Sequence, residues 1–132
     1  MVAVSEVRAK FGWTEAEVSN SAILAGIETA EILVRACLAE EFKHATGIEA
    51  ITEGEIMLVG ALTLRLHTVK RMPELADADG ESENSSASAR NAIELILKVA
   101  DMLEKEGWRL IAPYCRGSAS SGSIIRTTES GV

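Results

Sequence analysis

The sequence predicts an all-α fold: a small helical bundle of one short and three longer helices over residues 1–115, followed by an extended C-terminal tail over 116–132. Three observations lead there. Ile23, Ile27, Ala30, Val34 and Leu38 step by four, three, four and four residues, which is one stripe of an amphipathic helix. Aromatic residues make up only 4% of a chain that is 47% hydrophobic, so Leu, Ile, Val and Ala must fill the core, which favours closely packed helices over a sandwich. At 132 residues the chain fits one domain, and a domain of that size buries roughly two thirds of the surface its unfolded chain exposes.

The elements follow in order. Ser5 can cap a short helix through "EVRAKFG", with Gly12 as its stop. Thr14 and Glu17 have capping-box spacing. Ser19, Asn20 and Ser21 interrupt the pattern, and each can cap a new helix or face water. From Ala22 the long stripe defines the second helix, with Glu28, Glu31, Arg35 and Glu41 mostly on other faces; it fades between Phe42 and Thr46, before Gly47. Thr52 and Glu55 repeat the capping-box spacing and start the third helix. Its first half, "IMLVGALTL", is apolar nearly all round and is expected at the centre. Its second half carries Arg65, His67, Lys70 and Arg71, and Pro73 ends it.

Residues 74–87 read as a polar, acidic loop. Ser86 or Ser88 then caps the last helix, whose buried stripe is Ile93, Ile96 or Leu97, Ala100 and Leu103. Gly107 is placed as the residue just past its C-terminus. "WRLIAPYC" is expected to be extended, since Pro113 restricts its neighbour. Gly26 and Gly60 fall inside helices, where each costs about 1 kcal/mol relative to Ala. Close approach of two helix backbones is the plain reason for them.

The formal net charge is −7 and the pI near 4.9. A duplex-binding protein needs a cationic footprint, so the overall field opposes that class. Cys37 and Cys115 are far apart, with no CxxC. They read as two reduced thiols in a reducing compartment, Cys37 in a helical core. The opening "MVAVSEVRAKFG" is charged too early for a signal peptide. The longest clean apolar run, "IMLVGAL", is too short to cross a bilayer.

Candidate chemistry is sparse. Glu41-Phe-Lys-His44 has the ExxH spacing of one half of a carboxylate-bridged di-iron site. A small metal-binding enzyme using Glu41 and His44 is therefore one alternative, although Glu28 and Glu31 lie on the same helix and cannot face the motif across a bundle. The plain reading is a solvated helix end. "RLHTVKR" is either an anion patch or a helix end paired with the acidic stretch after it. Asp77-Ala-Asp79-Gly80-Glu81 carries its glycine at position 4 rather than 6 of a calcium loop, so it reads as a turn. Walker, GxGxxG, GxSxG and HExxH motifs are absent from the sequence. The expectation is a non-enzyme with no metal and no cofactor.

The tail "RGSASSGSIIRTTESGV" joins a linker-like stretch to "SIIRTT", in which four of six residues are β-branched. A lone strand cannot satisfy its own backbone groups, so it is expected to add to another chain. Arg116, Ser123, Ile124, Ile125, Arg126 and Thr127 are the candidate partner-binding residues.

The order of elements carries a resemblance. The short "VSEVRAKFG", the long "AILAGIETAEILVRACL", a connector, the apolar "LVGALTLRLHTVKR", a variable loop, "SARNAIELILKVADMLEKEG" and an extended end are similar to the head–tail adaptor (connector) proteins of tailed viruses. The likeness spans roughly residues 4–115 and rests on element order and apolar pattern; the 74–87 loop and the tail are long for that family. It implies a structural virion protein of the neck, present in the host cytoplasm before assembly. Such adaptors form a homo-oligomeric ring, commonly of about twelve copies, whose heterologous contacts close by rotation. The implied partners are the portal protein and the neck or tail-completion proteins, with no membrane contact. DNA passes without sequence-specific binding, which suits an acidic wall. The tail, through Ile124, Ile125 and Arg126, would dock on the portal or a neighbouring subunit. A dimeric regulatory helix bundle is the remaining alternative.

Overall fold

A short helix, α1 (Val4–Phe11), opens the chain. Its cap is Ala3 rather than Ser5: the Ala3 amide donates to Glu6 Oε1 at 2.9 Å, and Ser5 sits inside the first turn. Gly12 stops it as expected, at φ 71°, its amide donating to the Arg8 carbonyl. This is the left-handed stop that glycine adopts without a Cβ penalty. The Thr14–Glu17 box forms reciprocally, the Thr14 amide donating to Glu17 Oε1 at 3.0 Å and the Glu17 amide to Thr14 Oγ1 at 3.3 Å. It closes only one turn, because Ser19 caps the next helix through Ala22 N at 3.2 Å. Arg8 ties this entry together, donating to the carbonyls of Trp13 at 3.1 Å and Val18 at 2.9 Å.

In this computed structural model the backbone is described for residues 2–78 and 83–117, and the side chains for 2–68, 88 and 90–117. Helix α2 (Asn20–Cys37) buries Ile23, Ile27, Ala30 and Val34 of the predicted stripe, and Leu38, its C-cap, is buried as well. It ends earlier than the sequence pattern suggests: Leu38 is already extended, and a 3-10 turn at Glu40–Phe42 leads to Gly47 at φ 81°.

Helix α3 (Glu49–Ala78) begins three residues before Thr52. The Thr52 amide and hydroxyl both donate to the Ile48 carbonyl, at 3.2 and 3.4 Å, so Thr52 belongs to the first turn. Glu55 turns into the protein instead of back onto a cap. The central placement holds, with Ile56, Leu58, Val59 and Ala61 buried. The expected stop at Pro73 does not: α3 runs on to Ala78. Proline removes one backbone bond, but Met72, Glu74, Leu75 and Ala76 around it are good helix formers.

Helix α4 (Glu83–Ile111) starts before Ser86 and Ser88. The stretch 74–87 is thus helical at both ends rather than a loop, and 79–82 lie outside the described residues. Serine and asparagine oppose helix by only about half a kcal/mol each, so the helix can extend back through them. Of the predicted stripe, Ala100 is fully buried, and Ile93, Ile96, Leu97 and Leu103 are half-buried.

Two corrections concern the end of α4. Gly107 is not past the helix but inside it and buried, facing Gly54 of α3. A Cβ on Gly54 would lie 2.7 Å from the Gly107 carbonyl, and one on Gly107 2.8 Å from the Gly54 carbonyl. The pair lets the two backbones touch. Trp108–Ile111 is accordingly helical, and Pro113 sits in a 3-10 turn, Ala112–Tyr114. Gly26 serves the close approach expected of it: its Cβ would lie 2.7 Å from Thr63 Oγ1 and 3.3 Å from the Val59 carbonyl, so α2 rests directly on α3. Gly60 instead makes room for the Phe11 ring of α1.

The described residues form an all-α bundle in which α3 is central. Val59 and Thr63 face α2, while Gly54, Leu58 and Arg65 face α4, so α2 and α4 sit on different sides and barely touch each other. The cysteines are the largest correction. Cys37, closing α2, and Cys115, after α4, are joined by a disulfide across a Cα–Cα distance of 5.1 Å. They are not two free thiols. An isolated antiparallel bridge between Leu38 and Cys115 sets them face to face, with the Ala39 amide donating to the Tyr114 carbonyl and the Arg116 amide to the Cys37 carbonyl, both at 2.9 Å.

Candidate interaction surfaces

The predicted tail site is divided by the limit of the described residues. Arg116 is inside it and is engaged within its own chain: its guanidinium also donates to the Ala36 carbonyl at the end of α2. Ser123, Ile124, Ile125, Arg126 and Thr127 lie outside the described residues. The described residues end at Gly117, beside the C-terminus of α2.

Glu41 and His44 are not on one helix face. Glu41 lies in the 3-10 turn after α2, and both side chains are exposed. Among the described residues no group of three or more His, Cys, Asp or Glu side chains is placed to hold a metal ion. Arg65 of the "RLHTVKR" run pairs with α4, bridging Asp101 at 2.7 Å and Glu104 at 2.8 Å. These two acceptors hold the guanidinium pKa above its usual value. The side chains of Lys70 and Arg71 are outside the described set.

Sequence reasoning missed a buried acid. Glu55 is 8% exposed, and its Oε2 has no hydrogen-bond partner among the described residues. It lines a cavity of about 180 Å³ with Glu31, Arg35, Phe42, Lys43 and His44. Burial pushes the Glu55 carboxyl above the usual carboxylate range; nearby Glu31 adds to this and Arg35 opposes it. Arg35 is already paired with Glu31, at 2.9 Å. A capping-box spacing conceals this acid, because the same Thr-x-x-Glu pattern serves a solvated cap at Thr14–Glu17.

Among the described residues, two apolar faces lie at the surface. On α4, Leu95, Val99 and Met102 are exposed, Leu95 to 64% and Met102 to 69%. Beside them a groove of about 640 Å³ runs between Met57 of α3 and the α4 side chains, rimmed by Lys105, Glu106 and Arg109. It continues past Val99 into a hollow of about 330 Å³ floored by Phe11, Trp13 and Leu64. The signal was present in the sequence: eight of the eleven residues from Ile93 to Leu103 are apolar, too wide an arc for one neighbouring helix. On α2, Ala25, Thr29, Ile32, Leu33 and Ala36 form an exposed, uncharged ridge, with Ile32 at 70%.

No family model, curated protein or solved structure matches the chain. Among the described residues no helix is long and apolar enough to cross a membrane.

Proposed function

We propose that this chain is a structural subunit of a virion neck, a head–tail adaptor forming a ring between the portal and the next neck component. The observation that carries the reading is the pair of large apolar faces on α2 and α4 of an acidic helical domain. Contiguous apolar surface of this kind marks a protein built to be covered by another. The element order supports the same reading.

The role asked of the chain is positional. The bundle supplies a rigid block and its acidic surface a non-adhesive wall for passing DNA. Ile124, Ile125 and Arg126 supply a strand for a foreign sheet edge. Deleting 117–132 keeps Cys115 and Arg116, so the far-UV circular dichroism spectrum should be unchanged while assembly onto the portal is lost. Normal assembly of the truncated chain overturns the docking role of the tail. A stable closed dimer with no higher assembly favours a regulatory bundle instead.

A further inference from the structure

We infer that successive copies of this chain join head to tail, the exposed α2 ridge of one copy seated in the α3/α4 groove of the next. The inference deepens the ring reading, on which it rests for its biological setting.

Geometry separates the two faces. Because α2 and α4 lie on different sides of α3, a copy cannot cover its own groove with its own ridge. Their sizes match. From Ala25 to Ala36 the ridge is about 17 Å long, and from Leu95 to Arg109 the groove is about 21 Å, at about 1.5 Å per helical residue. Their shapes also match. Ala25, Thr29 and Ala36 are small enough to let a partner backbone come close, and Ile32 and Leu33 stand out as knobs for an apolar groove of about 640 Å³.

Charge decides between this pairing and its symmetric rivals. Glu28 flanks the ridge and is exposed with no partner among the described residues, while Glu31 and Arg35 cancel each other. Lys105, Glu106 and Arg109 line the groove, and Lys98 lies one helical turn before Met102; Glu106 holds Arg109, and the two lysines have no partner among the described residues. A ridge-to-ridge contact offers Glu28 no free cation on the ridge, since Arg35 is held by Glu31. A groove-to-groove contact offers the lysines no free anion among the groove-lining residues, since Glu106 is held by Arg109. Ridge into groove brings the unpartnered Glu28 to the unpartnered lysines, and complementary charge across an interface favours one pairing over its rivals. Such a heterologous contact leaves a free ridge at one end and a free groove at the other, so it propagates until rotation closes it.

Sedimentation of the full chain tests this with Ile32→Asp and Met102→Asp, both at exposed positions. The wild-type chain should associate increasingly up to about 1 mM, a weak-contact range. Each variant alone should stay monomeric. Their equimolar mixture should form a 1:1 dimer and nothing larger, since each contributes one intact face. A monomeric wild type, self-association of either variant alone, or a mixture that stays monomeric overturns the inference. If the aspartate variants unfold, charge reversal decides: Glu28→Lys or Lys105→Glu alone should weaken association about tenfold at low salt, and the double variant should restore it. A double variant no better than the singles overturns the inference. Electron microscopy separates the two readings. Open filaments built through these faces keep the contact and refute the neck ring; closed rings that survive both aspartate substitutions keep the ring and refute the contact.

Discussion

Reduction of the Cys37–Cys115 disulfide is expected to be the single most destabilising mild perturbation of this fold. The bond joins residues 78 apart in sequence. Loop-closure entropy for that length is about 15 cal/mol/K, or about 4.5 kcal/mol at 25 °C, and measured bridges usually give about 2–4 kcal/mol. Little of this resides in the native contacts. The Ala39–Tyr114 and Arg116–Cys37 backbone bonds, and the Phe42–Tyr114 edge-to-face contact at 5.2 Å, can persist without the bond. The effect should therefore appear as a freer unfolded chain: a lower urea midpoint, a steeper denaturant dependence and a melting temperature lower by on the order of 15 °C. Urea unfolding followed by circular dichroism, with and without reductant, measures it. The Cys37→Ala, Cys115→Ala double variant should be insensitive to reductant. A loss below about 1 kcal/mol refutes the loop-entropy reasoning. Two reactive thiols in the folded, oxidised preparation refute the pairing itself.

Two further perturbations probe the bundle. Gly54→Ala gains about 1 kcal/mol of helix propensity. Its Cβ would nevertheless lie 2.5 Å from Ile111 Cγ1 and 2.7 Å from the Gly107 carbonyl. Backbone cannot swing aside as a side chain can, so α3 and α4 must part at a cost of about 1–3 kcal/mol; the melting temperature should fall, and a rise refutes the backbone contact. Glu55→Gln tests the buried acid. A carboxyl raised by burial contributes fully below the unfolded pKa, about 4.3, and that contribution is lost as pH rises through the folded value. The wild type should therefore lose stability relative to Glu55→Gln as pH rises above the unfolded value of about 4.3, the two converging in acid. Urea midpoints that run parallel over that rise in pH refute the burial of Glu55.

What was legible in the sequence was what a single helix decides for itself. The α2 stripe is legible because five apolar residues at a period of 3.6 allow one buried face, and all five are buried. The core of α3 is legible because "IMLVGALTL" has no polar face to offer water. Features that need two distant segments are not legible. Gly54 in "TEGE" and Gly107 in "KEGW" each resemble punctuation, and only their juxtaposition turns them into a contact. The cysteine pair is set by the bridge between Leu38 and Cys115, which no spacing announces. Local codes also fail where tertiary packing outweighs them. Thr14–Glu17 and Thr52–Glu55 share one pattern, yet the first makes reciprocal capping bonds and the second places an acid in the interior. The α4 surface face was present as excess apolar width, but width alone does not say which part a neighbour will cover.

The tail and the ridge meet at one place, and that couples the two proposals. Arg116 donates to the carbonyl of Ala36, the last residue of the α2 ridge, and Cys115 is fixed to Cys37 beside it. The exit point of 118–132 is thus pinned to the C-terminal end of the surface proposed to enter the next copy. If the ridge fills that groove, the first foreign backbone within reach of the exit belongs to the same neighbour, and the portal is met only by a chain that passes it. Ile32→Asp would then weaken tail docking as well as ring contact. If the strand passes that neighbour and docks on the portal, deleting 117–132 would leave the weak ridge–groove association of the isolated chain unchanged while abolishing assembly on the portal. A tail docked on the same neighbour would instead make that association fall with the deletion, so sedimentation of the truncated chain identifies which of the two receives the strand.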